Sequence, residues 1–395
     1  LLNNQLFNLK ILMIKNFNFL PKQYKNNNLK INHNYLSSQF LDHKKILSKI
    51  AKVVKRNDFT LGQEVNIFEN NIKKLIGAKH VVAVGSGTDA IFLSLKCLNI
   101  KEGDEVITTP FTFYATIGAI ATTGAKPVFA DVNFDFNIDP REIEKKITKK
   151  TKAIIPVHWG GKICDMKAIM KISRKYSIPV IEDSCHAILA KRYGKFAGNF
   201  GKMGCFSLHP LKNLNVWGDG GYIVVKNYKD FKRLSLMRNH GLVGRNKNLL
   251  FGYNSRLDTV QAVVANHLLK KLKYITKKRI NNSLYLDRGL KKFKNLELIK
   301  REPNSIEVFH LYCLRVKSNK KYILNQLIKN GIDVKVHYPV PMHLQPAAKY
   351  LGHKVGHFPN TELIAKETIS LPVHEFITKK NLDKIISIFE YVYEK

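Results

Sequence analysis

Between residues 43 and 56 apolar side chains recur at helical spacing, at Ile46, Leu47, Ile50 and Val53. The same period returns over 63–76, with Val65, Phe68, Ile72 and Leu75. Both patterns predict amphipathic helices with one side against a core. At residue 80 the style changes. HVVAVG is a short apolar run that predicts a strand, and it leads directly through Ser86-Gly87-Thr88-Asp89 into a helix, AIFLSLKCL. The alternation then repeats. DEVITTP, KPVFADV, TKAIIPVHW and PVIEDSCHA read as strands, and TFYATIGAIATTG, DPREIEKKI and MKAIMKISRKY as helices. Apolar strands separated by helices predict an α/β fold with a mostly parallel sheet covered on both faces. Two more strands, at 206–208 and 221–225, flank a loop. A long helical stretch near 256–287 then leads into shorter units, VFHLYCLRV, KKYILNQLIKNG, DVKVHYP and NLDKIISIFEYVYEK. The expected organisation is an N-terminal extension or arm (1–41), a large domain (42–269) and a smaller C-terminal α+β domain (270–395).

Composition changes this picture little. Lys and Arg number 66 against 30 Asp and Glu, a formal net charge of +36. Nucleic acid is the obvious partner for such a charge. The basic residues are dispersed, however, and no zinc-finger spacing, RNP-like strand or basic heptad region accompanies them. Asn is abundant too, at 26–28, 70–71 and 281–282, so the excess reads as solvated surface. Five scattered cysteines without a CxxC pair read as free thiols in a reducing, cytoplasmic setting. No run of 18 uncharged apolar residues predicts a membrane span, and no ligand spacing predicts a metal.

Candidate chemistry sits at the strand ends, where open α/β sheets bind ligands. Ser86-Gly87-Thr88 opens a helix and offers backbone N–H groups to a phosphate, although a plain capped helix start has the same form. Asp183 ends the strand PVIED. It suits a cationic ring nitrogen, and equally a helix cap or loop anchor. Lys212 lies in GCFSLHPLKNLNVWGDGG, a Gly-rich loop between two strands of the kind that approaches a ligand closely. Most other lysines belong to the solvated surface, and Asp219 in the same loop reads as a turn former.

These segments together, with LGQEVNIFE, TGAKPVFADV, MRNHG, FGYNSRLD and VHYPVPMHLQPAAKYLG, resemble the DegT/DnrJ/EryC1/StrS family of sugar aminotransferases over about residues 45–395. The resemblance implies an aspartate-aminotransferase-like fold (fold type I), pyridoxal 5'-phosphate as cofactor with pyridoxamine 5'-phosphate as its aminated form, and a homodimer with shared active sites. It implies that Lys212 is the Schiff-base lysine and Asp183 the partner of the pyridine nitrogen. Phe113 would cover the ring, and Gly87, Thr88 and Ser207 would take the phosphate. Asn254 would reach the phosphate of the neighbouring subunit. His186, where Gln is usual, would stand near the cofactor oxygen. His337, Tyr338 and His343 would face the sugar, although a rigid Pro-rich segment can also be a packed turn. The many basic residues, Arg245 and Lys247 among them, suit a diphosphate near the entrance. The retained lysine disfavours the dehydratase branch, where His replaces it, and a regulatory protein without turnover. The implied reaction moves an amino group from glutamate to a nucleotide-linked keto sugar. HYPVPMHLQ is closer to relatives acting at C3 than at C4. The alternatives are 3-oxo-glucose 6-phosphate and a nucleotide-linked 4-keto sugar.

Overall fold

A computed structural model describes residues 29–33 and 35–393. Most of the expected 1–41 extension, residues 1–28, lies outside the described residues.

The helices begin and end where local chemistry directs. Gln63–Ile76 buries Val65, Phe68, Ile72 and Ile76 and stops at Gly77 in the left-handed conformation. His43–Lys55 buries Ile46 and Val53. Leu47 is half exposed there, because it stands one residue, about 100° of helix, away from the line through 46, 50 and 53. Pro140–Lys145 opens on Pro140 behind an Asp139 cap, and Met166–Tyr176 behind an Asp165 cap.

The strands assemble in two hydrogen-bonded blocks. One orders His80–Val84, Gly221–Val225, Met203–Ser207 and Ile181–Asp183; the other orders Lys126–Phe129, Glu105–Thr108 and Thr151–Ile155. Parallel bridges Ile154–Val180 and Val157–Asp183 join the blocks into one seven-stranded sheet. Only Gly221–Val225 runs against the others. The carboxyl ends at Val84, Thr108, Asp183 and Ser207 therefore meet on one edge of the sheet. Central strands are buried except at Ser207, the partly exposed end of one of them, as expected of a sheet covered on both faces.

The stretch expected as one helix is two, Thr259–Leu269 and Leu272–Leu290. The first is buried nearly all round, at Ala262, Val263, Val264, Ala265 and Leu268, inside the large core. A turn at Lys271, whose N–H bonds the Leu268 carbonyl at 2.9 Å, lets the second leave that core. Its far end joins a second core with Tyr312, Leu314, Ile323, Leu327, Ile385 and Phe389. There an antiparallel sheet orders Leu296–Leu298, Tyr312–Val316 and Thr368–Leu371.

Two segments depart from their expected regularity. In VFHLYCLRV only Tyr312–Val316 forms a strand. Earlier amides bond the large domain instead, Val308 N–H to the Gly161 carbonyl and Leu311 N–H to that of Gly160, each at 3.2 Å. DVKVHYP pairs only at Lys335, with Ser370, before the chain turns toward the sheet edge. The architecture is fold type I, a large α/β domain with a mostly parallel sheet and a smaller C-terminal unit. No helix among the described residues is long and apolar enough to cross a membrane.

Candidate active site

The carboxyl ends of the strands and the two irregular segments enclose a cavity of about 410 Å³. Gly87, Thr88, Phe113, Asp183, His186, Ser207, Lys212, His337 and Tyr338 all line it. Residues separated by more than 250 positions thus share one wall.

At the start of the helix Gly87–Cys97, Ser86 accepts a hydrogen bond from Asp89 N–H at 3.0 Å. The first amides of the helix have no partner within it and lie beside the cavity. A Cβ on Gly87 would stand 2.7 Å from Ser207 Cβ and 3.2 Å from Cys185 Sγ. Only glycine lets the backbone come this close to Ser207. The arrangement is a cradle for an anion, and a phosphate fits it.

Asp183 is held from two sides. Thr116 Oγ1 donates to one carboxylate oxygen at 2.8 Å, and Cys185 N–H to the other at 3.1 Å. Thr116 pairs in turn with Thr112 Oγ1 at 2.8 Å. The neighbouring Glu182 points into the opposite side of the sheet. It accepts from the amides of Gly198, Phe200 and Gly201 and lies 2.9 Å from His158 Nε2. Alternation along the strand separates the two carboxylates, one for the cavity and one for the core.

Burial pushes the Lys212 ammonium down from its ordinary value, against the pull of the Cys185 thiol and Asp183. A lysine with more neutral amine is a better nucleophile toward a carbonyl. Four imidazoles surround it. Burial lowers His186 and His310 well below the usual histidine value, helped by the Lys212 charge. It lowers His337 to about 3 and brings His209 down as well. The His186 and His310 rings lie 4.3 Å apart, and His186 Nδ1 accepts from Gly160 N–H at 3.3 Å. Gly161, at φ +102°, has no room for a side chain, since its Cβ would meet Val308 Cγ2 at 2.8 Å. The Phe113 ring stands half exposed at the mouth, 6.1 Å from that of Tyr338.

Two expected residues lie elsewhere. His343 is outside the cavity wall, because the turn Met342–Leu344 directs it inward to Glu362, 3.1 Å away, and against Phe358. Asn254 is exposed, on a bridge to Asn239. Arg245 and Lys247 are exposed in the hairpin that precedes it. Thr112, Thr116, His209 and His310 join the site without having been singled out in the sequence. For His209, in SLHPLK beside Lys212, proximity was an available signal. For His310 there was none, since it arrives through the Gly160–Gly161 contacts. No group of three or more His, Cys, Asp or Glu able to hold a metal occurs among the described residues.

A lysine whose charge is disfavoured, a braced carboxylate and a helix-start cradle on one fold type I sheet define a pyridoxal-phosphate-dependent aminotransferase. Residues 41–390 match the DegT/DnrJ/EryC1/StrS aminotransferase family, and the chain belongs to it. It is 40% identical over 343 residues to a pleiotropic regulatory protein of Geobacillus stearothermophilus, a match spanning 86% of this chain and 92% of that one. It is 36% identical to the UDP-N-acetyl-3-dehydro-alpha-D-glucosamine 3-aminotransferase of Acidithiobacillus ferrooxidans, over 87% and 92% of the two chains. Among solved structures it is similar to S. venezuelae DesV in complex with a ketimine intermediate, with a TM-score of 0.88, 31% identity, and 91% and 97% coverage.

Proposed function

We propose that this protein moves an amino group from glutamate to C3 of a nucleotide-linked keto sugar, a dTDP- or UDP-linked hexose, using Lys212 as the cofactor-bearing lysine. The observation that carries the reading is the meeting of Lys212, Asp183 and the Gly87–Thr88 helix start in one cavity. Pyridoxal phosphate bound there supplies a carrier for the amino group and an electron sink. The residues fit it. Gly87, Thr88 and Ser207 would hold the phosphate, Asp183 the ring nitrogen, Phe113 the ring face and His186 the ring oxygen side.

Lys212 then has two tasks. It would hold the cofactor and, as a free amine, would move a proton at the donor carbon as a general base and acid. Its depressed ammonium value suits both. His337 and Tyr338 face the space left for the sugar, and His343 supports their segment from behind. The 3-amino relative supports C3. Asn254, on the outer surface, is proposed to complete the phosphate site of a second copy in a homodimer. The division at 41/42 and 269/270 is kept as the proposed domain plan.

Borohydride reduction of the holoenzyme followed by peptide mapping should label Lys212; a label on another lysine overturns the assignment. Mixing Lys212→Ala with Asn254→Asp protein should restore partial activity through hybrid dimers, and a fully active monomer ends the shared-site proposal. An amination screen with glutamate decides the acceptor. Preference for a 4-keto sugar overturns the regiochemistry, and exclusive use of 3-oxo-glucose 6-phosphate overturns the nucleotide.

A further inference from the structure

Residues 29–33 and 35–40 are bound to both domains. Ile31 N–H bonds the Gly331 carbonyl at 2.9 Å, and Asp333 N–H bonds that of Ile31 at 2.8 Å. His374 Nε2 donates to the Asn32 carbonyl at 2.8 Å, and the Tyr35 ring stacks on His374 at 4.8 Å, with the Arg279 guanidinium 5.1 Å above it. All these partners belong to the C-terminal half. Five residues on from Tyr35, the segment touches the Lys212 loop. Phe40 meets Trp217 edge-on at 5.5 Å.

The buried Gln39 side chain stands between the two attachments. Its Nε2 donates to Glu375 Oε1 at 3.2 Å, and its Oε1 accepts from Asn215 Nδ2 at 2.8 Å. Asn215 Nδ2 also donates to the Lys212 carbonyl at 2.9 Å. Asn215 and Glu375 are buried as well. A buried amide bonded at both ends has one orientation, since each donor must meet an acceptor. Four groups in line thus connect the C-terminal unit to the backbone of the cofactor-bearing lysine.

We propose that Gln39 is a positioning residue, which fixes the Lys212 loop through Asn215 and couples its placement to that of the C-terminal unit through Glu375. The inference rests on the reading of Lys212 given above. It predicts that the N-terminal segment serves catalysis without touching substrate or cofactor.

The test uses the full-length holoenzyme and three variants. Gln39→Met keeps the volume and removes both bonds. Gln39→Glu sets a second carboxylate against Glu375. The swap Gln39→Glu with Glu375→Gln restores a donor and an acceptor on each contact. Hydrogen exchange of the loop amides, including Leu208, Lys212 and Val216, is read beside kcat, KM and the pH midpoint of the bound-cofactor absorption. Gln39→Met and Gln39→Glu should speed exchange in the loop, shift the midpoint and lower kcat about tenfold or more, as misplacement of a reacting group does, with KM for the donor little changed. The swap should recover most of the loss, a non-additivity that marks direct coupling. Wild-type exchange, midpoint and kcat in a folded Gln39→Met protein would overturn the proposal, as would a folded swap no better than Gln39→Glu alone. If Gln39→Met does not fold, the swap decides by itself. Borohydride labelling away from Lys212 in the wild type would instead defeat the underlying assignment, while the exchange result would still report on the tie.

Discussion

Thr116→Val isolates the support of Asp183 from Asp183 itself. The substitution nearly conserves shape and removes the hydroxyl that donates to the carboxylate at 2.8 Å. Asp183 keeps its bond from Cys185 N–H at 3.1 Å, so the carboxylate loses one of two restraints and gains a rotation about its own axis. A hydrogen bond to a charged group contributes about 1.5–3 kcal/mol. The carboxylate borders a cavity that admits water, which replaces part of the loss, so the lower value applies. About 1.5 kcal/mol corresponds to roughly a tenfold fall in rate if the restraint is needed only as the transition state forms. Thr112, left without its partner at 2.8 Å, adds no charge effect. The assay is single-turnover conversion of the bound cofactor by glutamate, with the thermal midpoint as control. A tenfold slower step with a near-normal midpoint is expected, whereas Asp183→Ala should lose nearly all rate. Wild-type single-turnover rates in folded Thr116→Val would refute the idea that Thr116 orients the ring-facing carboxylate.

Other outcomes follow from the same geometry. Gly87→Ala should weaken cofactor binding, read by equilibrium dialysis, because the new Cβ meets Ser207 Cβ at 2.7 Å; unchanged affinity would show that the cradle has slack. Glu182→Ala should destabilise the fold by about 3 kcal/mol or more in denaturant titration, since it strands His158 Nε2 and three amides in the core, each buried group left unsatisfied costing about 1–3 kcal/mol; a loss under 1 kcal/mol, about that of one neutral hydrogen bond, would contradict the network. His33 and His374 are lowered to about 4 and about 3, burial being the main cause in each, so both stay neutral in the fold while the unfolded chain titrates near 6.5. Because the unfolded state binds the extra protons, stability falls as pH drops below 6.5, by about 2 kcal/mol per histidine at pH 5. A denaturation midpoint that does not change between pH 7 and 5 would refute their neutrality.

The limits of the sequence show at particular residues. Asp183 and Lys212 could be singled out as candidates because each sits at a strand end or in a Gly-rich loop whose pattern is local, while their roles came only with the family resemblance. Thr116 was not, because a threonine inside TFYATIGAI looks like any helical residue until the helix is placed beside the strand 181–183. His343 carried the same polar and aromatic setting as His337, yet one lines the cavity and the other packs on Glu362. The turn between them, over which side-chain direction reverses, leaves no periodic trace.

What the sequence alone determined is the order of strands and helices, the type of fold and the residues whose chemistry depends on local context. Hydrophobic period, caps and Gly-bearing turns act over a few residues, and the chain writes them directly. The tertiary structure alone decided which distant side chains share a wall. It brought His310 to His186 and laid Gln39 between Glu375 and Asn215. Those contacts span up to 336 positions and arise when two separately buried cores dock. No local pattern encodes that docking, because it is settled by the packing of whole elements against one another.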